Sequence, residues 1–262
     1  MPLTIDMQYL IICLAALLAS GLTLFSGFGL GTILTPVFAI FFPVDIAIAL
    51  TAIVHLLNNL FKLLLLGKHA DKKTVFVFGL PSIFFAFLGA YLLSRLSQLP
   101  SIYEYQLGDS VHKIHPVKLL IALLMTGFAL FDLIPSLSKI SVHKKYLPLG
   151  GAITGFFGGL SGHQGALRSA FLVKIGLSKE SFIATGVVIA CFVDISRLTV
   201  YSGLFSGAVM DNLRLIICAV LAAFCGAYFG NKLLKKATFS LVQNVVAIGL
   251  IIISILLGAG II

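Results

Sequence analysis

Four polar side chains, His55, Asn58, Asn59 and Lys62, interrupt an otherwise apolar run at 44–67. Spacings of three, four and seven put them on one face of a helix. A second apolar run, 179–202, carries Asp194, Arg197 and Tyr201 at the same spacing. Ionisable groups in long apolar segments are costly and face a cavity or a partner. His55 lies near the middle of its run, where an imidazole serves as proton carrier, as ligand donor, or as a hydrogen-bonded packing residue. Asp194 and Arg197, one turn apart, can pair with each other. For Lys62 and Arg197, each near a run end, snorkelling to the headgroups is the competing reading.

Two glycine-rich stretches lie near these runs. One is Ser26-Gly27-Phe28-Gly29-Leu30-Gly31, running on to Pro36. The other runs from Gly155 to Gly165 and holds Ser161, His163 and Gln164, with Arg168 one turn beyond. Lacking a Cβ, glycine lets a backbone leave its helix and approach a ligand. A broken helix among lipid-embedded residues is tolerated only within protein or beside a cavity. Gly29, Gly31, Gly162 and Gly165 are therefore candidate ligand-facing positions, with close helix packing through small residues as the alternative. Half-helices beginning near Gly29 and Gly165 offer free N–H groups to an anion. With Lys62, Arg168 and Arg197 added, the candidate site is suited to an anion, its oxygens bonded by Asn58, Asn59, His163 and Gln164.

The chain that must position these residues has 262 residues, 60% of them hydrophobic and 10% charged. Soluble domains carry about 25% charge. The composition is that of an all-α, polytopic membrane protein. Apolar runs fall at 8–27, 30–42, 44–67, 74–95, 116–135, 146–162, 164–176, 179–202, 209–231 and 238–260. The runs 30–42 and 164–176 are short of the ~20 residues of a full crossing. They read as half-helices or as arms of re-entrant hairpins. The first run lacks a basic flank and reads as a retained span. The net charge of +9 sits mostly in short connections, which excludes a nucleic-acid reading and fits the positive-inside pattern. Cys13, Cys191, Cys218 and Cys225 form no metal spacing and read as buried packing thiols. Asp45, Asp132, Lys174 and Asp211 fall at run ends, and His69, His112, His115 and His143 fall in solvated loops.

The basic loops around Lys68, Lys72 and Lys73, around Lys139, Lys144 and Lys145, and around Lys232, Lys235 and Lys236 are placed in the cytoplasm. The uncharged connection 203–208 and the longer loop 96–115 then face out, despite Arg95 and Lys113. An offset of 135 aligns Ser26-Gly27 with Ser161-Gly162, Asn59 with Asp194, and Lys62 with Arg197. Gly89-Ala90-Tyr91 echoes Gly226-Ala227-Tyr228 two positions out of that register. The expected architecture is two inverted repeats of about five helical segments, 1–135 and 136–262, with glycine-rich breaks at mid-membrane.

The run from Gly27 to Pro36, followed by Ala49-Leu50-Thr51, resembles the first half of the sulfite exporter TauE/SafE family. Gly155-Phe156-x-Gly158-Gly159-Leu160-x-Gly162, Ala184-Thr185-Gly186 and Gly226-Ala227-x-x-Gly230 resemble its second half. Where the family's second motif reads G-x-G-G-G, this chain has Gly162-His163-Gln164-Gly165-Ala166, and Phe171 replaces the proline matching Pro36. The resemblance implies transport of sulfite, organosulfonates or related small anions across the cytoplasmic membrane. A secondary transporter, an exporter working by alternating access, is expected, with His55 or Asp194 carrying a coupling proton. An anion channel is the alternative. Gly159-Leu160-Ser161-Gly162 also fits the short GxSG pattern of rhomboid proteases, but no histidine follows His163 to activate the serine. No enzyme activity, cofactor or metal is expected. The expected partners are a small anion, membrane lipid and a coupling proton or ion, with a homodimer as one oligomeric arrangement.

This scheme puts both ends of the sequence outside. Tags at Met1 and Ile262 should both be reached by an impermeant probe in intact cells. Labelling of one end alone would overturn the inverted arrangement.

Overall fold

A computed structural model describes residues 5–26, 29–134, 136, 142–233 and 239–262. The sequence readings at Met1, Gly27, Phe28, Lys139, Lys235 and Lys236, and on the side chains of Ser26, Asp132 and Lys232, lie outside the described residues. The described chain is 83% helical, with ten helices. In order they are α1 (Ile5–Ser26), α2 (Leu30–Ala39), α3 (Val44–Leu66), α4 (Lys72–Leu96), α5 (Pro116–Leu133), α6 (Leu147–Ser161), α7 (Gly165–Leu172), α8 (Lys179–Asp211), α9 (Leu213–Leu233) and α10 (Phe239–Gly258). Of these α1, α3, α4 and α8 are long and apolar enough to cross a bilayer. The protein is an all-α, multi-pass membrane protein.

Local chemistry sets the helix limits. Asp71 caps α4, its carboxylate accepting from the Thr74 N–H at 2.8 Å. The Thr74 hydrogen bonds, with Lys73 nearby, hold this carboxyl below the usual range. Ser178 caps α8 by accepting from the Ser181 N–H at 3.2 Å. α6 ends where Gly162 turns to φ +80°, a left-handed conformation that suits glycine.

Helix lengths explain the two breaks. At 1.5 Å per residue, α2 and α7 reach about 15 and 12 Å, well short of the ~30 Å hydrocarbon core. Each is the returning arm of a hairpin. The Val142 N–H donates to the Ala170 carbonyl at 3.1 Å, so the chain enters α6 and leaves α7 on one face. α1 runs in the same sense as α3, with Ser20 opposite Asn58, and α2 turns back to the start of α3. The short runs 30–42 and 164–176 are thus re-entrant.

α3 and α8 pack on each other at the centre in opposite directions. The Asp71 N–H, just beyond the end of α3, donates to the Thr185 hydroxyl in the second turn of α8 at 2.8 Å. Around them α4 packs on α6, α1 on α9, and α5 on α10. The α4–α6 contact is a stripe of small residues. A Cβ on Gly151, Gly155 or Gly159 would collide with the backbone of Phe78, Ser82 or Ala86 respectively. One on Gly89 would strike the Phe156 carbonyl, and one on Gly226 the Leu17 carbonyl. Small residues let helices approach closely where lipid supplies no hydrophobic drive. Gly155 and Gly159 therefore serve packing, and the break is confined to 162–164.

Three further expectations are corrected. The connection 203–208 is not a loop: α8 continues through it for 33 residues. Isolated glycines do not end a helix, and Phe205 packs on Tyr201 with ring centroids 5.8 Å apart. The loop 96–115 holds an antiparallel hairpin, β1 (Tyr103–Leu107) with β2 (Ser110–Ile114). The chain's end docks on it, Tyr105 Oη donating to the Ala259 carbonyl at 2.7 Å. His112 belongs to this contact rather than to solvent, with Nδ1 3.3 Å from the Gly260 carbonyl. Cys218 and Cys225 are exposed rather than buried, whereas Cys191 is buried.

The glycine stripe predicts a contrast. Gly159→Leu forces α4 and α6 apart, and overpacking costs about 1–3 kcal/mol or more. It should lower the thermal midpoint of the purified protein by several degrees, whereas Gly249→Ala, whose Cβ meets nothing within 4 Å, should not. Equal midpoints would show that the stripe does not limit stability.

Candidate functional site

The two breaks meet beside the middle of α3. A Cβ placed on Gly29 would lie 3.7 Å from the Gly165 nitrogen and 3.7 Å from His55 Nε2. One on Gly31 would lie 3.1 Å from the Gly162 carbonyl oxygen. The starts of α2 and α7 are therefore neighbours, and their free N–H groups and positive dipole ends gather at one place. His55 is the midpoint of α3, so this junction lies between the two ends of the central helix pair.

Asp194 of α8 organises the polar groups here. Its Oδ2 lies 2.6 Å from His55 Nδ1 and accepts from Asn59 Nδ2 at 3.4 Å. Its Oδ1 accepts from Arg197 Nη2 at 2.8 Å, Arg197 Nε at 3.1 Å and Gln164 Nε2 at 3.3 Å. Asp194 and Arg197 are fully buried. Gln164 in turn accepts from Arg168 Nη1 at 3.2 Å through Oε1. One carboxylate thus ties α3, α8 and the second break into a single network.

A cavity of about 50 Å³ opens from this network toward the basic-loop face. Its polar wall is His55, Asn59, Lys62 and Arg168, and the remainder includes Gly29, Thr23 and Gly186. Lys62 is 4% exposed and Arg168 9%. Neither has a carboxylate within ion-pair distance among the described residues. An isolated buried cation is costly unless a counter-charge arrives. Lys62 points into protein, so snorkelling is not its role.

The remaining expected residues divide. Asn58 faces away from the cavity and accepts from the Ser20 hydroxyl at 2.9 Å. Arg197 and His163 lie beyond Asp194, toward the hairpin face. His163 Nδ1 is 3.1 Å from the Ser161 carbonyl and 3.3 Å from its hydroxyl, and the ring stacks on Phe128 at 5.4 Å. Lys62 and Arg197 therefore sit on opposite sides of the carboxylate. Thr23, Ser20, Gly186 and Phe128 were not legible as site residues. A lone hydroxyl in an apolar helix commonly bonds its own backbone, so its type and spacing carry no signal.

The cavity, the junction of the two breaks and the buried charges thus lie together inside a multi-pass membrane protein. No curated protein and no solved structure gives a significant match to the chain. The family description "Sulfite exporter TauE/SafE" matches residues 12–257. With nearly its whole length covered by that match, the chain belongs to the sulfite exporter TauE/SafE family, a family of membrane transporters.

Proposed function

We propose that the protein is a secondary transporter of the cytoplasmic membrane that exports sulfite, organosulfonates or related small sulfur anions. The observation that carries this reading is the pair of buried cations, Lys62 and Arg168, on one cavity wall with no carboxylate within ion-pair distance among the described residues. The convergent starts of α2 and α7 add to the same charge preference. A ligand of a few heavy atoms suits the cavity of about 50 Å³.

Alternating access between two inverted repeats, 1–135 and 136–262, is the proposed mechanism. Four packing pairs support it. α4 of the first half packs on α6, and α9 of the second half packs on α1. The pairs α3–α8 and α5–α10 each join equivalent helices. That is the pattern of a two-fold relation. A carrier is favoured over a channel because Gly31 and Gly162 close on each other on the hairpin side of Asp194. Transport rather than proteolysis is favoured because the buried Ser161 hydroxyl donates to the Phe157 carbonyl at 3.0 Å. His55 and Asp194, 2.6 Å apart, are the proposed carriers of a coupling proton.

Lys62→Gln and Arg168→Gln should each reduce sulfite flux into proteoliposomes about tenfold or more, since hydrogen bonds to charged groups are worth about 1.5–3 kcal/mol. The exposed Lys174→Gln should match the parent. Unchanged flux in both cavity variants would remove the anion-site reading. His55→Gln should abolish accumulation driven by a pH gradient while sparing sulfite–sulfite exchange. An unaltered response to the gradient would make His55 a packing residue.

A further inference from the structure

We propose a second anion-binding site on the hairpin side of Asp194, formed by Arg197, Thr35 and Thr51. It rests on the two-repeat reading above and names the residues that take the anion when the protein opens to the other face. Arg197 uses Nε and Nη2 on Asp194, and its Nη1 has no partner. The hydroxyls of Thr35 and Thr51 have no partner either. All three side chains are fully buried. Left dry and unpaired, buried polar groups are costly, so three together call for a ligand in some state of the protein.

Arg197 Nη1 and the Thr35 hydroxyl converge on the junction of the two breaks, and the Thr51 side chain lies beside it. A point one bond from the Gly162 Cα, where its Cβ would stand, is 2.9 Å from Arg197 Nη1 and 3.6 Å from Thr35 Oγ1. The corresponding point on Gly31 is 3.1 Å from the Gly162 carbonyl oxygen and 3.8 Å from Thr51 Cγ2. Thr35 lies on α2 and Thr51 on α3, both between the junction and the hairpin face, and Arg197 lies one turn beyond Asp194 in the same direction. The present conformation leaves no room there, because the backbones of Gly31 and Gly162 touch. In the proposed opening, α2 moves away from α6 and makes that space.

The set is suited to one ligand class. A guanidinium N–H group and two hydroxyls are donors toward a negative centre with several acceptor oxygens. That describes a small oxyanion. Lys62 and Arg197 occupy equivalent positions in the offset of 135. A two-fold relation that exchanges the halves carries the Lys62 cavity onto the Arg197 site. Asp194 then stands between two half-sites, each open to one face in turn.

The test measures sulfite entry separately into right-side-out and inside-out membrane vesicles carrying the full chain. Thr35→Val and Thr51→Val keep shape and remove the hydroxyl. Each should raise the KM for entry from the hairpin face about tenfold and leave the KM from the basic-loop face within twofold. Thr35→Ser, which restores the hydroxyl, should return the parent KM. Equal changes at both faces, or no change at either, would overturn the second site and assign the hydroxyls to packing or to bound water. Absence of sulfite entry from either face in the parent protein would sink the sulfite reading itself, and this proposal with it. The parent's flux therefore separates the two failures.

Discussion

The structure depends on how one buried carboxylate is compensated. Asp194 has no contact with solvent and accepts from four side chains: His55, Asn59, Gln164 and Arg197. Removing one partner of a buried charge costs about 3–5 kcal/mol, because the other is left unpaired. The partners come from α3, from the second break and from α8 itself. Satisfying this charge therefore fixes the crossing of α3 and α8 and the position of the break between them. The break in turn places α7, whose Arg168 reaches the cavity through Gln164.

The glycines do two different kinds of work, and geometry separates them. On α6, Gly151, Gly155 and Gly159 recur every four residues and admit the backbone of α4. They hold two helices at close range and have no need of an unusual dihedral. Gly162 is different, with φ +80° and the Arg197 guanidinium against its open face. Gly31 lets the first break approach the second. Tight, fixed contacts thus surround α4–α6 and α1–α9, while the junction between the breaks consists of bare backbone. In the proposed alternating access, a side chain there would add contacts to be broken when the breaks separate. Bare backbone leaves the junction the least encumbered place for the two halves to part.

Much of this was legible because period and charge report directly on a helix in lipid. The stripes His55–Lys62 and Asp194–Arg197 gave the central faces, and the offset of 135 brought Asn59 and Asp194 to the same level, where they bond. Lys62 and Arg168 were legible as cavity cations because a charge in such a segment is too costly to leave facing lipid. The glycine run was read too broadly, since sequence cannot tell a glycine that admits a neighbouring helix from one that turns the chain. The extension of α8 through 203–208 was missed for a related reason. An uncharged, glycine-containing segment resembles a loop until Phe205 is seen packing on Tyr201. Thr35 and Thr51 carried no signal, because a buried hydroxyl is informative only when its backbone bond is found to be missing.

The charges in the site also constrain how transport and conformation are linked. Lys62, Arg168 and Arg197 face one carboxylate, so the buried site carries an excess of two positive charges with neutral histidines. That excess destabilises the empty site and is relieved by an anion, so binding and stability are coupled. A ligand shifts a conformational equilibrium only by the difference in its contacts with the two states. An anion on Lys62 and Arg168 alone would hold the protein open to the basic-loop face. Passage requires the opposite state to offer comparable compensation. Arg197 would meet that requirement best if Asp194 loosened its hold, and the neighbour able to pass a proton to that carboxylate is His55, 2.6 Å away. A proton taken up from solution by the His55–Asp194 pair would neutralise the carboxylate and free the guanidinium as the anion leaves Lys62. Coupling in this scheme follows from the shared carboxylate and needs no separate ion site.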